Sequence, residues 1–301
     1  MTVLRIATRG SDLALWQARF VASRLRCESE LVVLSTQGDR DSQSSLSAIG
    51  GQGVFVKEIE AALLDGRADI AVHSAKDLPS TGIEGLVIGA FPERGDPRDV
   101  LVGCRLDELQ PGDVVATGSQ RRQAQLRDLR PDLEFAPLRG NISTRLSMVG
   151  RYAAVVVAYA ALERLGLLAE VAQTFDTAEF LPQAGQGALA IEHRTADTGV
   201  AAIIRPLDHP ETRLAVEAER SLLAELGSGC SLPVGAYASV ESHSREITLK
   251  GFLGSLDGEV SIRVAGVGSA PVELGSRLGK ELLAKGGHSL DGLYGIGLGN
   301  G

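Results

Sequence analysis

Aromatic residues make up only 4% of the 301-residue chain, with one Trp, four Tyr and seven Phe. Platforms on which bases or sugars would stack are therefore few, which speaks against a single-stranded nucleic-acid binder. Cysteine is equally scarce. Cys27, Cys104 and Cys230 stand far apart, an odd and sparse set that excludes a disulfide framework and suits a reducing compartment. No CxxC pair or Cys/His cluster offers a metal site, so none is expected. Lysine occurs at five positions only, 57, 76, 250, 280 and 285, and nearly all positive charge is arginine. Arginine grips carboxylates and phosphates through paired N–H bonds, although a GC-rich genome gives the same bias. No apolar stretch reaches the length of a membrane span. The longest, Ala153 to Leu162, is half of one, and the chain enters a strand-like run at once instead of a secretory apolar segment. No membrane association and a cytoplasmic location are expected.

What is present is ordinary globular composition, 44% hydrophobic and 23% charged, with a formal net charge of -8 that argues against a coat for nucleic acid. The length predicts two or three domains. Across the first two thirds, short apolar runs alternate with amphipathic segments, the pattern of βαβ units and a largely parallel sheet. Strands are expected at Val3 to Ala7, Leu31 to Ser35, Ile70 to His73, Leu86 to Phe91, Val114 to Ala116, Glu134 to Pro137 and Ala153 to Val157. Helices are expected at Leu13 to Arg26, Val54 to Asp65, Gln120 to Arg130, Ile142 to Met148 and Ala160 to Leu165. The charged stretch Pro92 to Arg98 reads as a crossing between two α/β units. After Glu211 the order becomes a long helix, three strands and a final helix from Val272 to Lys285, which suits a small α+β domain. A ligand cleft is expected between the two α/β lobes. The Gly- and Ser-rich segment 37 to 53, with Gly50, Gly51 and Gly53, is long enough to act as a lid.

Three strand-to-helix turns repeat one design. Thr8-Arg9-Gly10-Ser11, Thr117-Gly118-Ser119-Gln120-Arg121-Arg122 and Leu138-Arg139-Gly140-Asn141-Ile142-Ser143-Thr144-Arg145 each combine arginine with a hydroxyl or amide that caps a helix. Basic residues in a first helical turn oppose the helix dipole unless an anion shares the site, so the turns point to an anionic ligand. The alternative is a set of ion pairs with Asp128, Asp132 and Glu134. His73-Ser74-Ala75-Lys76-Asp77 ends another strand. An acid beside Lys76 at a cleft would stabilise a cation or exchange protons; the alternative is a surface Lys–Asp pair. Cys230, in Gly227-Ser228-Gly229-Cys230-Ser231-Leu232-Pro233, is a loop cysteine framed by glycines, either a nucleophile or attachment point or an inert thiol. Gly50-Gly51-Gln52-Gly53 and Gly185-Gln186-Gly187 match neither GxGxxG nor a P-loop, and no GxSxG elbow is present.

From Leu4 to about Lys285 the sequence resembles the hydroxymethylbilane synthase family, also called porphobilinogen deaminase. The resemblance rests on LRIATRGSDLALWQA, GVFVKEIEAALLDGRADIAVHSAKDLP, DPRDVLV, QRRQAQL, LRGNISTRL, LPQAGQGALAIE and GCSLPVGAY, all in one order. It implies an α/β fold of two periplasmic-binding-protein-like lobes with a third small α+β domain. The first lobe would comprise 1–92 with a return segment at 187–205, the second 93–186, and the third 206–301. It implies a monomeric transferase that links four porphobilinogen units head to tail with release of ammonia. Cys230 then matches the thioether attachment point of a dipyrromethane cofactor, and Asp77 the catalytic aspartate. Arg9, Ser11, Thr117, Ser119, Arg121, Arg122, Arg139, Asn141, Arg145 and Arg164 match contacts to substrate and cofactor carboxylates, with Ser74, Lys76 and Gln186 close by. The chain departs from the family pattern at Ala48 and Gln52, where lysines are frequent in the loop, and at Gly10 and Asp12. Asp12 is expected to turn away as a cap for the helix starting at Leu13. Two other readings compete. A two-lobe binding protein for an anionic small molecule leaves the loop cysteine unexplained, and an RNA-binding protein using 117 to 151 is opposed by the net acidity.

Overall fold

A computed structural model describes residues 3–36, 56–227 and 232–294, with side chains as far as residue 286. The chain opens with β1 (Leu4–Arg9), α1 (Asp12–Ala22), β2 (Ser29–Leu34), α2 (Lys57–Leu64), β3 (Ile70–Ser74) and β4 (Leu86–Ala90). It continues with β5 (Asp99–Val102), β6 (Val114–Ala116), α3 (Gln120–Leu129), β7 (Glu134–Ala136), α4 (Ile142–Leu146), β8 (Ala154–Ala158), α5 (Tyr159–Arg164) and β9 (Val171–Thr174). After β10 (Leu189–Arg194) and α6 (Thr198–Ile204) come α7 (Pro210–Glu225), β11 (Val234–Val240), β12 (Ile247–Gly254), β13 (Ser261–Gly268) and α8 (Pro271–Tyr294).

These strands form three sheets, in the orders β2-β1-β3-β10-β4, β7-β6-β8-β5-β9 and β11-β12-β13. The architecture is two α/β lobes and a smaller antiparallel meander packed on α7 and α8, as the sequence pattern predicts. The largely parallel sheet needs a correction. β10 runs antiparallel to both β3 and β4, and β5 runs antiparallel to both β8 and β9. Each lobe thus contains one strand of reversed direction next to a crossing between lobes. β5 and β9 escape a reading by periodicity because they have four residues each and β5 starts on the charged Asp99.

Burial on both faces explains the continuous apolar strands. In the first lobe Ile6, Ile70, Val72, Leu189 and Ile191 pack against Ala18 and Val21 of α1 and Ile204 of α6. The alternate residues Ala7 and Ala71 face Ile59 and Leu63 of α2. Each fully buried Leu or Ile contributes about 1.5–3 kcal/mol. These layers, not the polar groups at strand ends, hold the lobe together, and the strand ends are left to carry charge.

The two crossings are locked to each other and to the third domain. The Gly95 N–H donates to the Gly187 carbonyl at 3.1 Å, and Nε of Arg94 donates to the Gln186 carbonyl at 2.8 Å. Gly187 has φ +85°, and a Cβ there would lie 2.5 Å from the Gly95 carbonyl oxygen, so only glycine permits this approach. Glu219 of α7, wholly buried, accepts from Arg94 at 2.6 and 3.1 Å, from the Gly185 N–H at 2.7 Å and from the Ala238 N–H at 2.8 Å.

Candidate functional site

The three Arg-containing turns end β1, β6 and β7, and each supplies a helix cap. Oγ of Ser11 accepts from the Ala14 N–H at 3.4 Å, Oγ of Ser119 from the Arg122 N–H at 3.4 Å, and Oδ1 of Asn141 from the Thr144 N–H at 2.8 Å. Ser11, not Asp12, therefore caps α1; Asp12 is the first helical residue, where its charge suits the helix dipole. Thr117 is buried and its Oγ1 accepts from the Ser119 N–H at 3.1 Å, which closes the turn before α3.

Arg9, Ser11, Gln17, His73, Ser74 and Asp77 line one small cavity of about 70 Å³ at the ends of β1 and β3. Nε2 of Gln17 donates to Oγ of Ser74 at 2.8 Å and fixes that hydroxyl. Ala75, Lys76 and Asp77 form a single 3-10 turn after β3, so Asp77 leaves the strand end on a short, defined path. The Lys76 carbonyl accepts from Nε2 of Gln183 at 3.1 Å.

In the second lobe the two arginines of α3 converge on a buried carboxylate that sequence reading missed. Nη1 of Arg121 donates to Oδ2 of Asp99 and to the Leu181 carbonyl, both at 2.7 Å. Arg122 donates to Oδ1 of Asp99 through Nε at 3.0 Å and Nη2 at 2.7 Å, and through Nη1 to the Val156 carbonyl at 2.8 Å. Burial alone would raise the Asp99 carboxyl, but the charges of Arg121 and Arg122 prevail and hold it far below the usual range. The anion anticipated beside these arginines is thus, in the first instance, the protein's own Asp99. The sequence signal was a lone Asp at the head of the apolar run Val100-Leu101-Val102.

Gln186 joins the lobes. Its Oε1 accepts from Nζ of Lys76 at 3.2 Å, and its Nε2 donates to Oδ1 of Asp99 at 2.9 Å and to the Pro97 carbonyl at 2.7 Å. Burial, then the nearby Arg122, lowers the Lys76 ammonium to about 8, with Asp77 and Asp99 acting in the opposite direction. Burial, then Arg122, likewise lowers Arg145 to about 10, with Asp77 opposing and Arg139 adding to the effect. These mutual influences place Lys76, Asp77, Asp99, Arg121, Arg122, Arg139 and Arg145 in one electrostatic neighbourhood. Among the described residues, five cations there face two carboxylates. Nη1 of Arg139 is buried and has no hydrogen-bond partner among the described residues.

Arg164 does not join this group. It ends α5, donates through Nη2 to the Gly187 carbonyl at 2.6 Å and stands 5.6 Å from the Trp16 ring. With Trp16, Phe20, Pro92, Arg94 and Leu207 it lines a second cavity of about 450 Å³ beside the crossings, where burial lowers it to about 10. Cys230, like Ala48 and Gln52 of the expected lid, lies outside the described residues. Among the described residues no group of His, Cys, Asp and Glu is placed to hold a metal ion, and no helix is long and apolar enough to cross a membrane.

Residues 4–202 match the family model described as "Porphobilinogen deaminase, dipyromethane cofactor binding domain", and residues 213–284 match "Porphobilinogen deaminase, C-terminal domain". The chain is 45% identical to a porphobilinogen deaminase of Brevibacillus brevis over 94% of each chain. It is 46% identical to one of Acidothermus cellulolyticus over 96% of this chain and 91% of that one. Among solved structures it is similar to a putative lipoprotein from Ruminococcus gnavus, at TM-score 0.43 and 15% identity over 70% of this chain and 93% of that one. With both lobes and the third domain covered by the two family models, and near-full-length relatives at this identity, the chain belongs to the porphobilinogen deaminase, or hydroxymethylbilane synthase, family.

Proposed function

We propose that the cationic floor built by Lys76 of the first lobe and Arg122, Arg139 and Arg145 of the second, with Arg9 and Ser11 also on the first lobe, binds the acetate and propionate groups of porphobilinogen and of the lengthening pyrrole chain. The observation that carries this reading is the gathering of half-buried Lys76, Arg139 and Arg145 beside buried Arg122 around Asp77 and Asp99, with the Arg139 Nη1 left unpaired among the described residues. Clustered cations partly withdrawn from water are stabilised by nearby carboxylates, so such a site suits a ligand that brings several of them. The same cluster fits a dipyrromethane, whose rings bear the same acids as the substrate. Attached at Cys230, that group supplies the pyrrole end onto which substrate units are joined.

The remaining roles follow from position. Deamination of porphobilinogen breaks the bond between the methylene carbon and the amine, ammonia departs, and positive charge is left on the ring and methylene. Asp77, one turn beyond β3, offsets that charge and accepts from the pyrrole N–H. Thr117 and Ser119 present hydroxyls, and α1 and α3 present N-terminal dipoles, toward the acid groups. Arg121 works through Asp99, and Asn141 through the turn it caps. Arg164 supports the crossing through Gly187.

The three sheets support a division into lobes of 1–92 with 187–205 and 93–186, and a third domain of 206–301. The scarcity of cysteine supports action in a reducing compartment, the cytoplasm, and the protein is taken to act as a monomer. Replacing Asp77 by Asn tests the central role: turnover should be nearly abolished while intact mass still shows the dipyrromethane. A near-normal rate would remove Asp77 from the chemistry.

A further inference from the structure

On the α2 side of the first sheet three buried titratable side chains lie close enough for their charges to interact: Glu60 of α2, His73 of β3 and Glu192 of β10, only 4%, 5% and 5% exposed. The register explains their meeting. His73 pairs with Ala190 and Ala71 with Glu192, so His73 and Glu192 project from the same face as Ala71, which packs on Ile59 and Leu63 of α2. Nε2 of His73 lies 3.2 Å from Oε2 of Glu192. Neither atom has an aligned hydrogen-bond partner among the described residues. Buried polar atoms are nearly always paired, so the two facing atoms are each other's available partner.

The cluster grips the Asp77 turn from both ends. His73 directly precedes Ser74 and lines the same cavity as Asp77. On the far side, Arg220 of α7, close enough to Glu192 for their charges to interact, donates to the carbonyls of Leu78, Pro79 and Ser80 at 3.4, 2.6 and 3.4 Å. Those are the three residues that follow Asp77. The charged groups around the cluster are Lys57 on α2, Arg220 on α7, and Arg9 and Asp77 across the cavity.

We propose that His73, Glu192 and Arg220 are positioning residues for Asp77, and that a negative charge on Glu60 behind them weakens their hold on the Asp77 turn. The proposal rests on the role assigned to Asp77 above. Burial, then Glu192, pushes the Glu60 carboxyl up to about 7, against the pull of His73 and Lys57. Above neutrality a second buried carboxylate therefore forms near Glu192, and like-charge repulsion away from water loosens the packing behind the Asp77 turn. Turnover falls on the alkaline side for a reason that does not lie in Asp77 itself.

The test uses the holoenzyme and measures kcat and KM for porphobilinogen from mildly acid to mildly alkaline pH, in Glu192→Gln, Glu60→Gln and, as control, Asp77→Asn. Glu192→Gln should lower kcat roughly tenfold or more with KM changed less than about twofold. Glu60→Gln should carry the alkaline limb of kcat to higher pH and leave the acid side alone. Intact mass should show the dipyrromethane in each. Wild-type kcat in Glu192→Gln together with an unmoved limb in Glu60→Gln overturns the proposal. If Glu192→Gln does not fold, the limb in Glu60→Gln decides alone. An inactive Asp77→Asn beside unaffected cluster variants overturns only the positioning; an active Asp77→Asn overturns the role of Asp77 and the proposal with it.

Discussion

Nζ of Lys76 and Oε1 of Gln186 meet at 3.2 Å, and the amide nitrogen of the same glutamine reaches Oδ1 of Asp99 at 2.9 Å. A single side chain on the returning crossing thus connects the turn that carries Asp77 in one lobe with the carboxylate that orders Arg121 and Arg122 in the other. The cationic floor proposed to bind substrate draws on both lobes, and this glutamine, wholly buried, links them.

Removal of that link should be felt in both lobes. Gln186→Ala leaves the Asp99 carboxylate and the Pro97 carbonyl each short of a donor, and an unsatisfied buried group costs about 1–3 kcal/mol. Urea denaturation should show a loss in that range. Steady-state kinetics should show a raised KM as well as a lowered kcat, because Lys76 and the α3 arginines are no longer held in register.

Asp99→Asn should be more damaging. It leaves two guanidinium groups buried against a neutral amide, and removing one partner of a buried ion pair costs about 3–5 kcal/mol. The expected phenotype is a strongly destabilised protein in denaturant titration that carries little dipyrromethane by intact mass. A fully loaded, wild-type-stable Asp99→Asn protein would show that Arg121 and Arg122 are ordered by something else.

Lys76 gives the binding site its own pH dependence. Its ammonium titrates at about 8 in the folded chain against 10.5 for an ordinary lysine. The site is therefore more cationic below about 8, and KM for porphobilinogen should rise as pH increases through that value. Because the folded pKa is depressed, the cost of the charge is present below about 8 and disappears toward 10.5. Lys76→Met should abolish the KM step and should stabilise the unliganded protein at neutral pH, by an amount that shrinks as pH climbs. Denaturant titrations across that range check the sign.

Glu60 carries the opposite shift. Its folded pKa of about 7 exceeds the ordinary 4.5, so its contribution is favourable below 4.5 and is lost as pH rises through about 7. Glu60→Gln should match wild-type stability at the acid end and exceed it above neutrality, by on the order of 2 kcal/mol. Equal pH–stability curves for the two proteins would mean that Glu60 is not held in a low-dielectric cluster.

Most strands, the capped helix starts and the repeated turns are legible because their signals are local, whereas the reversed strands β5 and β10 are not. Ser11, Ser119 and Asn141 are short polar residues immediately ahead of helical patterns, and each caps its helix. The site's electrostatics were less legible. Asp99 lies 22 residues before Arg121 in the sequence, and its place at the head of an apolar run hints at burial without showing that two guanidinium groups will cover it. Arg164 reads like the other arginines, yet it ends α5 and bonds the Gly187 carbonyl beside the crossings, in a different cavity from Arg9 and Asp77. His73 and Glu192 are brought together only by the antiparallel insertion of β10, a pairing between positions 119 residues apart that no periodicity encodes.

The most direct test of a polyanion-binding floor serving pyrrole condensation is intact mass of the freshly purified protein, before and after a brief exposure to porphobilinogen, with Cys230→Ser alongside. The starting mass should exceed that of the polypeptide by one dipyrromethane, the exposed sample should show further pyrrole increments, and Cys230→Ser should show neither. A bare polypeptide mass in all samples would contradict the account.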